Sequence, residues 1–408
     1  MSLAPRTDEE NTPHIVRPGA RGSNQSGMRA HNERLVLTLI RQAGPMPKAA
    51  IARMTGLSAQ AVSVIMRALE TDGLLQKGDP VRGKVGQPSV PMGLNRDGAF
   101  FLGLKIGRRS SELVLTDFLG KVRDRRRQTH RHPTPEGVVA FANDTIGAFL
   151  DDLPEAHRAR VAGLGIALPF RLWDWGESPD AVSPDLENWR EGDIATDIGR
   201  SWDFPVYICN DASAACGAEL VFGEQNKPSD FLYVYVGYFV GGGLVLDNTV
   251  YTGKSGNAAA LGSMPIATKD GSLRQLVDVA SLATLETMLQ RQGHDADGVW
   301  DRADNCPLPR DPLNGWLDQA AHGLARAIVS SACLIDVRTV LIDGWMSPDL
   351  RAELVLRTTR QLQDLTVPGI EIPEIRPGTI GRDARSLGAA SLPLSDRFLV
   401  DRKAFLKG

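Results

Sequence analysis

The chain has 408 residues, 42% hydrophobic and 23% charged, with a formal net charge of −3. That length suggests two or three domains, and that composition is the ordinary balance of a globular protein, which excludes wholesale disorder. Four cysteines, none in a Cys-x-x-Cys pair, exclude a disulfide scaffold and argue against a zinc finger. The longest uncharged apolar stretch, residues 231–246, is too short and too glycine-rich for a membrane span and reads as strand, turn, strand. The first 30 residues hold no apolar core of a secretory signal, so the expectation is a cytoplasmic protein with no membrane partner. The net charge conceals an asymmetry. Residues 1–92 carry 12 basic and 7 acidic side chains, and the remainder carries 34 and 42. A small basic module joined to a larger acidic one raises the expectation of a nucleic-acid reader attached to something else.

In chain order, residues 1–30 are polar and aperiodic and read as a disordered arm. Periodicity begins at His31, where Leu35, Val36, Leu39 and Ile40 form an apolar helical stripe that Gly44, Pro45 and Pro47 end. A short second helix spans residues 48–55. Gly56 supplies a tight turn, and Ser58 is a fitting N-cap for a third helix that reaches about Asp72 and stops at Gly73. Leu57 and Val62 hold the positions of a hydrophobic staple. Residues 74–77 and 90–94 flank a turn region and read as a β-hairpin wing. Three short helices and a wing predict a winged helix-turn-helix over 31–95, with the Ser58 helix entering the major groove of an operator. Its outward residues are Ala59, Gln60, Ser63, Val64 and Arg67. Gln and Arg offer bidentate hydrogen bonds to adenine and guanine edges. Lys48, Arg82 and Lys84 suit phosphate contacts, which position without reading sequence. The same pattern also suits a helical bundle used for protein contact; the ordered spacing of Gly56, Leu57, Ser58, Val62 and Gly73 favours DNA.

From Phe100 the pattern changes to strands. Residues 100–106, 112–116 and 121–127 read as a meander with a turn at 118–120, followed by a helix over 136–150 and a buried strand over 161–168. Further on come a helix (194–202), a strand (206–209), a helix (212–222) and strands at 231–237 and 243–246. Helices over 273–292 and 316–336, a strand at 340–342, and helices from 348 to 362 and from 383 complete the reading. No repeat of 20–50 residues stands out. Alternating strands and helices predict an α/β architecture in two lobes.

Several stretches carry a resemblance. They are Gly56-Leu57-Ser58 with Val62-Ser63, residues 163–169, residues 186–189, Pro205-Val206 with Asn210-Asp211, Ala218-Glu219 with Phe222-Gly223, Gly241-Gly242-Gly243, Gly253 with Gly256, and Gly388-Ala389-Ala390. On these the chain from about residue 31 resembles the ROK family of repressors and sugar kinases. The resemblance implies an actin-like, two-lobed sugar-kinase (ribonuclease H-like) fold over 98–408, with lobes at about 98–205 plus 381–408 and at about 206–380. It also implies homodimers or homotetramers. Family kinases open with an Asp-x-Gly-Gly-Thr phosphate loop; this chain has Lys105-Ile106-Gly107-Arg108-Arg109-Ser110. The second phosphate loop becomes Gly237-Tyr238-Phe239-Val240-Gly241, and an adenosine-side Gly-Gly becomes Asp343-Gly344. Lys105 offers no oxygen to a hard cation such as Mg²⁺. The family's zinc motif is also missing: Ala260 and Ser263 stand in place of a glutamate and a histidine, and no cysteine cluster follows.

Asn210-Asp211 matches the pair whose aspartate takes the proton from a sugar hydroxyl in family kinases. Here Asp211 is read as a vestigial base, equally suited to contact an effector or to cap the following helix. The expected ligand is a sugar or sugar-derived effector met by Asn188, Asn210, Asp211 and Ser263, with no cofactor and no metal. The leading expectation is therefore a DNA-binding regulator, a repressor, with a catalytically inactive kinase-like sensor. The alternatives are an ATP-dependent sugar kinase with a DNA-binding appendage, and a ligand-free scaffold that only dimerises. Two further features stay open: the basic run 121–132 as a DNA-backbone contact or a solvated hairpin face, and Trp173, Trp175 and Trp189 as sugar-stacking or core rings.

Overall fold

The computed structural model describes residues 24–80, 89–170, 187–224, 228–300, 308–365 and 367–400. The N-terminal unit is built from α1 (Asn24–Ala43), α2 (Lys48–Thr55) and α3 (Ala59–Thr71), followed by β1 (Leu75–Lys77) and β2 (Met92–Leu94). α1 begins seven residues ahead of His31, so residues 24–30 are helical and do not belong to an arm. The expectation erred because those residues are polar and lack the apolar stripe on which periodicity is read. Gly56 closes α2 at φ +72° with its N–H on the Ala52 carbonyl, and Ser58 Oγ accepts the Ala61 N–H at 3.1 Å to open α3. The two helices meet at 118°, the angle of a helix-turn-helix. Val62, Ile65, Met66 and Leu69 give α3 a fully buried face. β1 and β2 pair antiparallel, Leu75 opposite Leu94, and form the base of the wing; residues 81–88 lie outside the described residues.

The rest of the chain forms two five-stranded mixed sheets. The first has the order β5-β4-β3-β6-β7, from β3 (Phe100–Ile106), β4 (Ser110–Asp117), β5 (Val122–Thr129), β6 (Val161–Leu168) and β7 (Val206–Asn210). β3, β4 and β5 are an antiparallel meander, and β6 and β7 add in parallel beyond β3. The second sheet repeats that plan as β10-β9-β8-β13-β14, from β8 (Phe231–Val236), β9 (Val240–Leu246), β10 (Thr249–Tyr251), β13 (Thr339–Gly344) and β14 (Glu374–Pro377). The repeat lies in the strand order and not in local sequence, so a search at short periods misses it. A small hairpin, β11 (Pro265–Ala267) with β12 (Leu273–Gln275), stands outside both sheets.

Helices cover these sheets: α4 (Pro135–Asp152), α5 (Glu155–Arg158), α6 (Ile194–Gly199), α7 (Asp211–Phe222), α8 (Leu276–Ala280), α9 (Leu282–Arg291), α10 (Arg310–Ile335), α11 (Pro348–Gln363) and α12 (Ala384–Phe398). The single helix expected over 273–292 is instead a strand and two helices. Ser281 is extended (φ −75°, ψ 155°) and its hydroxyl accepts the Thr284 N–H, so it caps a new helix in mid-run. β10, β11 and β14, each three or four residues long, were not foreseen.

α12 packs on β3 and β6 and against α7. The fit leaves no room for side chains at two glycines: a Cβ on Gly165 would lie 1.8 Å from the Ala389 carbonyl oxygen, and one on Gly388 would lie 1.9 Å from that of Ala214. The far end of α12 enters the core of the N-terminal unit. Leu394 and Phe398 share one buried cluster with Val36, Ile40, Ile51, Ile65 and Met92, and with Phe101 and Phe118 of the first sheet. Phe398 meets Phe118 and Phe101 edge-on, with centroids 5.0 and 5.8 Å apart. Arg41 of α1 donates to the Phe118 carbonyl at 2.5 Å and lies over the Phe118 and Phe222 rings. Val400 donates its N–H to Thr38 Oγ1 at 3.1 Å. The winged helix is thus welded to the first lobe by a continuous core. Phe398→Ala should cost about 3–5 kcal/mol and lower the melting of the winged helix and the first lobe together. Calorimetry in which only one of the two units shifts would contradict the shared core.

Candidate functional site

Two surfaces stand out. On α3, Ala59, Gln60 and Arg67 are exposed and Ser63 is half-buried, all on the face opposite the core. Val64, also on that face, is 58% exposed. Ser58 is exposed at the cap, and Lys48 is exposed as the first residue of α2. Arg82 and Lys84 lie outside the described residues. The polar face of α3 follows from its sequence: apolar side chains at 62, 65, 66 and 69 hold one side inward, so 60, 63, 64 and 67 point out.

The second surface is the cleft floor at the C-terminal ends of β3, β6 and β7, where Lys105 pairs with Ala167 and Leu168 with Asn210. The chain leaves β3 for β4 on one side and returns as β6 on the other, which makes this end a topological switch point, the usual ligand position in such sheets. Asn210 Oδ1 accepts the N–H groups of Ala212 and Ser213 at 3.0 and 3.2 Å. Asn210, not Asp211, therefore caps α7, correcting the capping alternative. Asp211 is left for another role, and its Oδ2 accepts from Arg385 at 3.2 Å. Arg385 stands in the first turn of α12 with its guanidinium 5.0 Å above the Tyr235 ring. Lys105 is only 6% exposed and donates to Ser110 Oγ at 3.0 Å. Burial, and next the charge of Arg385, push its amine well below the ordinary lysine range. Asn188 and Ser263 are exposed on separate 3₁₀ turns, and among the described residues neither hydrogen-bonds Asp211.

The loop after β3 reaches across to the other lobe. Arg109 donates to Glu286 at 2.8 Å and lies 5.1 Å from the Trp300 ring centroid. Arg108 lies 5.7 and 5.9 Å from the rings of Tyr238 and Phe239. The connection into α12 is pinned as well. Asp343, fully buried, accepts from Tyr233, Arg351 and the Gly381 N–H; Glu219 accepts from Thr379 and Ile380; Arg125 forms a fork on Asp383 with both bonds at 2.7 Å. Sequence reasoning missed Arg385 and Arg125 in these roles, because their partners lie 174 and 258 residues away. In the basic run, Arg123 and Arg125 are taken up by Asp97, Asp117, Glu112 and Asp383, and Arg127 lies over Trp345. Trp189 is buried with its indole N–H on the Pro133 carbonyl; Trp173 and Trp175 lie outside the described residues. A cavity of about 50 Å³ in the second lobe, walled by Leu282, Leu285, Val299, Trp345 and Leu350, includes none of the residues around Asp211. Among the described residues no three His, Cys, Asp or Glu side chains converge to hold a metal ion, and no single helix is long and apolar enough to cross a membrane.

A model of the ROK family matches residues 101–395, and a winged helix-turn-helix DNA-binding model matches residues 29–76. The chain belongs to the ROK family. It is 26% identical over 245 residues to the xylose repressor of Bacillus subtilis, a match covering 60% of this chain and 62% of that repressor. It is 29% identical over 231 residues to a transcriptional regulator of Mycobacterium tuberculosis, covering 54% and 50%. The chain thus spans less than two thirds of either relative. A solved ROK family transcriptional regulator, described as a homolog of an Escherichia coli protein, MLC, superimposes with a TM-score of 0.64 at 21% identity, covering 91% of this chain and 98% of that one. A ROK glucokinase from Streptomyces griseus, solved with glucose and a nucleotide analogue, gives 0.55 at 17%, covering 72% and 99%. These likenesses show a winged helix followed by the two-lobed, sugar-kinase-like ROK fold.

The buried amine yields a stability test. Because the folded state holds Lys105 below its unfolded range, the unfolded chain binds more protons between the folded and the unfolded values. The cost to the folded state is full at and below the folded value and vanishes as pH rises through the unfolded one. Lys105→Met should therefore stabilise the chain at neutral pH, on the order of 1 kcal/mol or more, with the gain shrinking towards pH ~10. Thermal unfolding across that range checks it; a destabilised variant at neutral pH would contradict it.

Proposed function

We propose that this ROK protein is a DNA-binding transcriptional repressor whose kinase-like domain senses a sugar-like effector and does not phosphorylate it. The observation that carries this reading is the continuous core between a winged helix with an open recognition face and the first ROK lobe. A reader mounted this rigidly reports the state of the domain behind it. The winged helix (31–95) reads the operator, and the ROK domain (98–408, in two lobes) assembles as a homodimer or homotetramer so that two readers meet two half-sites. Gln60 and Arg67 read base edges, Ser58, Ala59 and Ser63 lie against the groove, and Lys48, Arg82 and Lys84 hold phosphates. Asn188, Asn210, Asp211 and Ser263 face the effector, with Asp211 as a hydrogen-bond acceptor.

The loops that would hold ATP and its metal do not suit them. Lys105 stands at the end of β3 with an amine and no oxygen to give a cation. Arg108 and Arg109, in place of small phosphate-loop residues, are occupied with Tyr238, Phe239, Trp300 and Glu286. Asp211 is engaged by Arg385. No phosphoryl-transfer step follows from this arrangement. The relatives named xylose repressors make a pentose one effector to try.

Two experiments test the reading. In mobility-shift titrations, Gln60→Ala and Arg67→Ala should each cost about 1–3 kcal/mol on the operator and relax sequence choice, while Lys48→Ala and Lys84→Ala weaken all DNA alike and flatten the salt dependence by about one. Equal losses on operator and random DNA for all four would remove the recognition-helix assignment. In coupled kinase assays with ATP and a panel of hexoses, pentoses and amino sugars, no turnover is expected. Turnover that disappears in Asp211→Asn would establish the kinase reading instead.

A further inference from the structure

The cleft floor gathers buried basic groups. Lys105 faces Glu112 from β4, Arg127 from β5, Asp211 from α7 and Arg385 from α12. Glu112, the cross-strand neighbour of Lys105, lies 3.5 Å from Arg125, which also forks onto Asp383, and Asp211 lies 3.2 Å from Arg385. Among the described residues, Lys105 has one hydrogen bond, to Ser110 Oγ, and no carboxylate oxygen within 4.0 Å. The Nε of Arg385 is buried with no hydrogen-bond partner. Burying an amine costs free energy unless a counter-charge meets it. The fold nonetheless holds this one at the switch point between β3 and β6, where ligands dock. Gly107 leaves room for the lysine itself: a Cβ there would lie 2.8 Å from Lys105 Cε. An anion placed beside the amine favours its protonated form, and away from water that attraction is several-fold stronger than at the surface.

We propose that the effector is an anionic, polyhydroxylated compound, a sugar acid or a sugar phosphate, whose charged group is met by Lys105 and Arg385 and whose hydroxyls are met by Asp211. This rests on the reading of the ROK domain as an effector sensor. The division of labour is chemical. A carboxylate such as Asp211 only accepts hydrogen bonds and so suits hydroxyls, whereas ammonium and guanidinium groups only donate and so suit carboxylate or phosphate oxygens. A neutral sugar leaves the buried amine as poorly matched as before and gains only the Asp211 contacts.

The test uses the full chain and matched sets: glucose, gluconate and glucose 6-phosphate, then xylose and xylonate, with inorganic phosphate and acetate as bare ions. Thermal shift at millimolar ligand and titration calorimetry are the readouts. An anionic member should raise the midpoint while its neutral partner at equal concentration does not, since only binding to the native state shifts it. The carboxylate and phosphate arms tell a sugar acid from a sugar phosphate, and the bare ions should bind more weakly than the matching sugar anion. Lys105→Met should lose at least about tenfold in affinity for the anionic ligand, with Lys105→Arg recovering part of it; the ligand-free midpoint of each variant reports whether it folds. A neutral sugar that stabilises as well as its anions, anions that leave the midpoint unmoved, or unchanged affinity in a folded Lys105→Met would each overturn the proposal. DNA binding by the ligand-free wild-type chain is scored separately, and its absence would count against the repressor reading and not against the anion site.

Discussion

Everything in the ROK domain hangs on how closely α12 can approach its neighbours. A helix lies flat on a sheet and across a second helix only if the backbones nearly touch, and here the side chains that would keep them apart are missing. Gly165 lets β6 come up to the Ala389 carbonyl, and Gly388 lets α12 come up to that of Ala214. Overpacking at such points forces backbone to move, because no rotamer change relieves it. The seam fixes where the first turn of α12 stands, and so where Arg385 meets Asp211. It equally fixes where the last turn stands, and so how Phe398 enters the reader's core. One packing constraint positions both ends.

The electrostatics of the cleft follow from that geometry. α12 brings a guanidinium beside a buried β3 lysine, and of the nearby acids Asp211 is met by that same guanidinium and Glu112 lies near Arg125. The second lobe is tied on by different means. Arg108 and Arg109 meet aromatic rings and Glu286, while Asp343 and Glu219 gather backbone N–H groups of the connection into α12. Contacts of this kind can be exchanged for others more readily than the apolar core on the winged-helix side. The molecule therefore has a firm joint between winged helix and first lobe, while between the lobes these polar contacts stand beside the close packing of α12 on α7.

The winged helix was legible from sequence because its signals are local. Ser58 as cap, Gly56 and Gly73 as stops, and the stripe of Val62, Ile65 and Leu69 all act within a few residues. The alternation of strand and helix was legible for the same reason. Boundaries failed where local signals conflict: the polar start of α1 carries no stripe, and Ser281 breaks an apolar run that reads as one helix. The last helix, expected to start at residue 383, runs on through Pro393 to Phe398, since burial against the first lobe outweighs the hydrogen bond that proline cannot make. The cleft was half legible. Asn210-Asp211 and Lys105 could be picked out by type, but the partners that define their roles come from α12 and β5, and no spacing rule reaches that far along the chain. On α3, Ala59, Gln60 and Arg67 are exposed and Ser63 is half-buried, whereas among the described residues Asn188 and Ser263 make no hydrogen bond to Asp211.

The helix α12 runs unbroken from Arg385 to Phe398, a span of about 20 Å at the usual rise per residue. Its first turn belongs to the cleft and its last to the reader, with no loop between them to absorb displacement. A close-packed interior passes a shift along instead of damping it. Thermodynamic reciprocity then binds the two ends. Whatever factor a cleft ligand imposes on operator affinity, the operator must impose on the ligand. On the proposed repressor reading, the protein on its operator is a different receptor from the protein free in solution, and a ligand affinity measured without DNA describes only the unbound population.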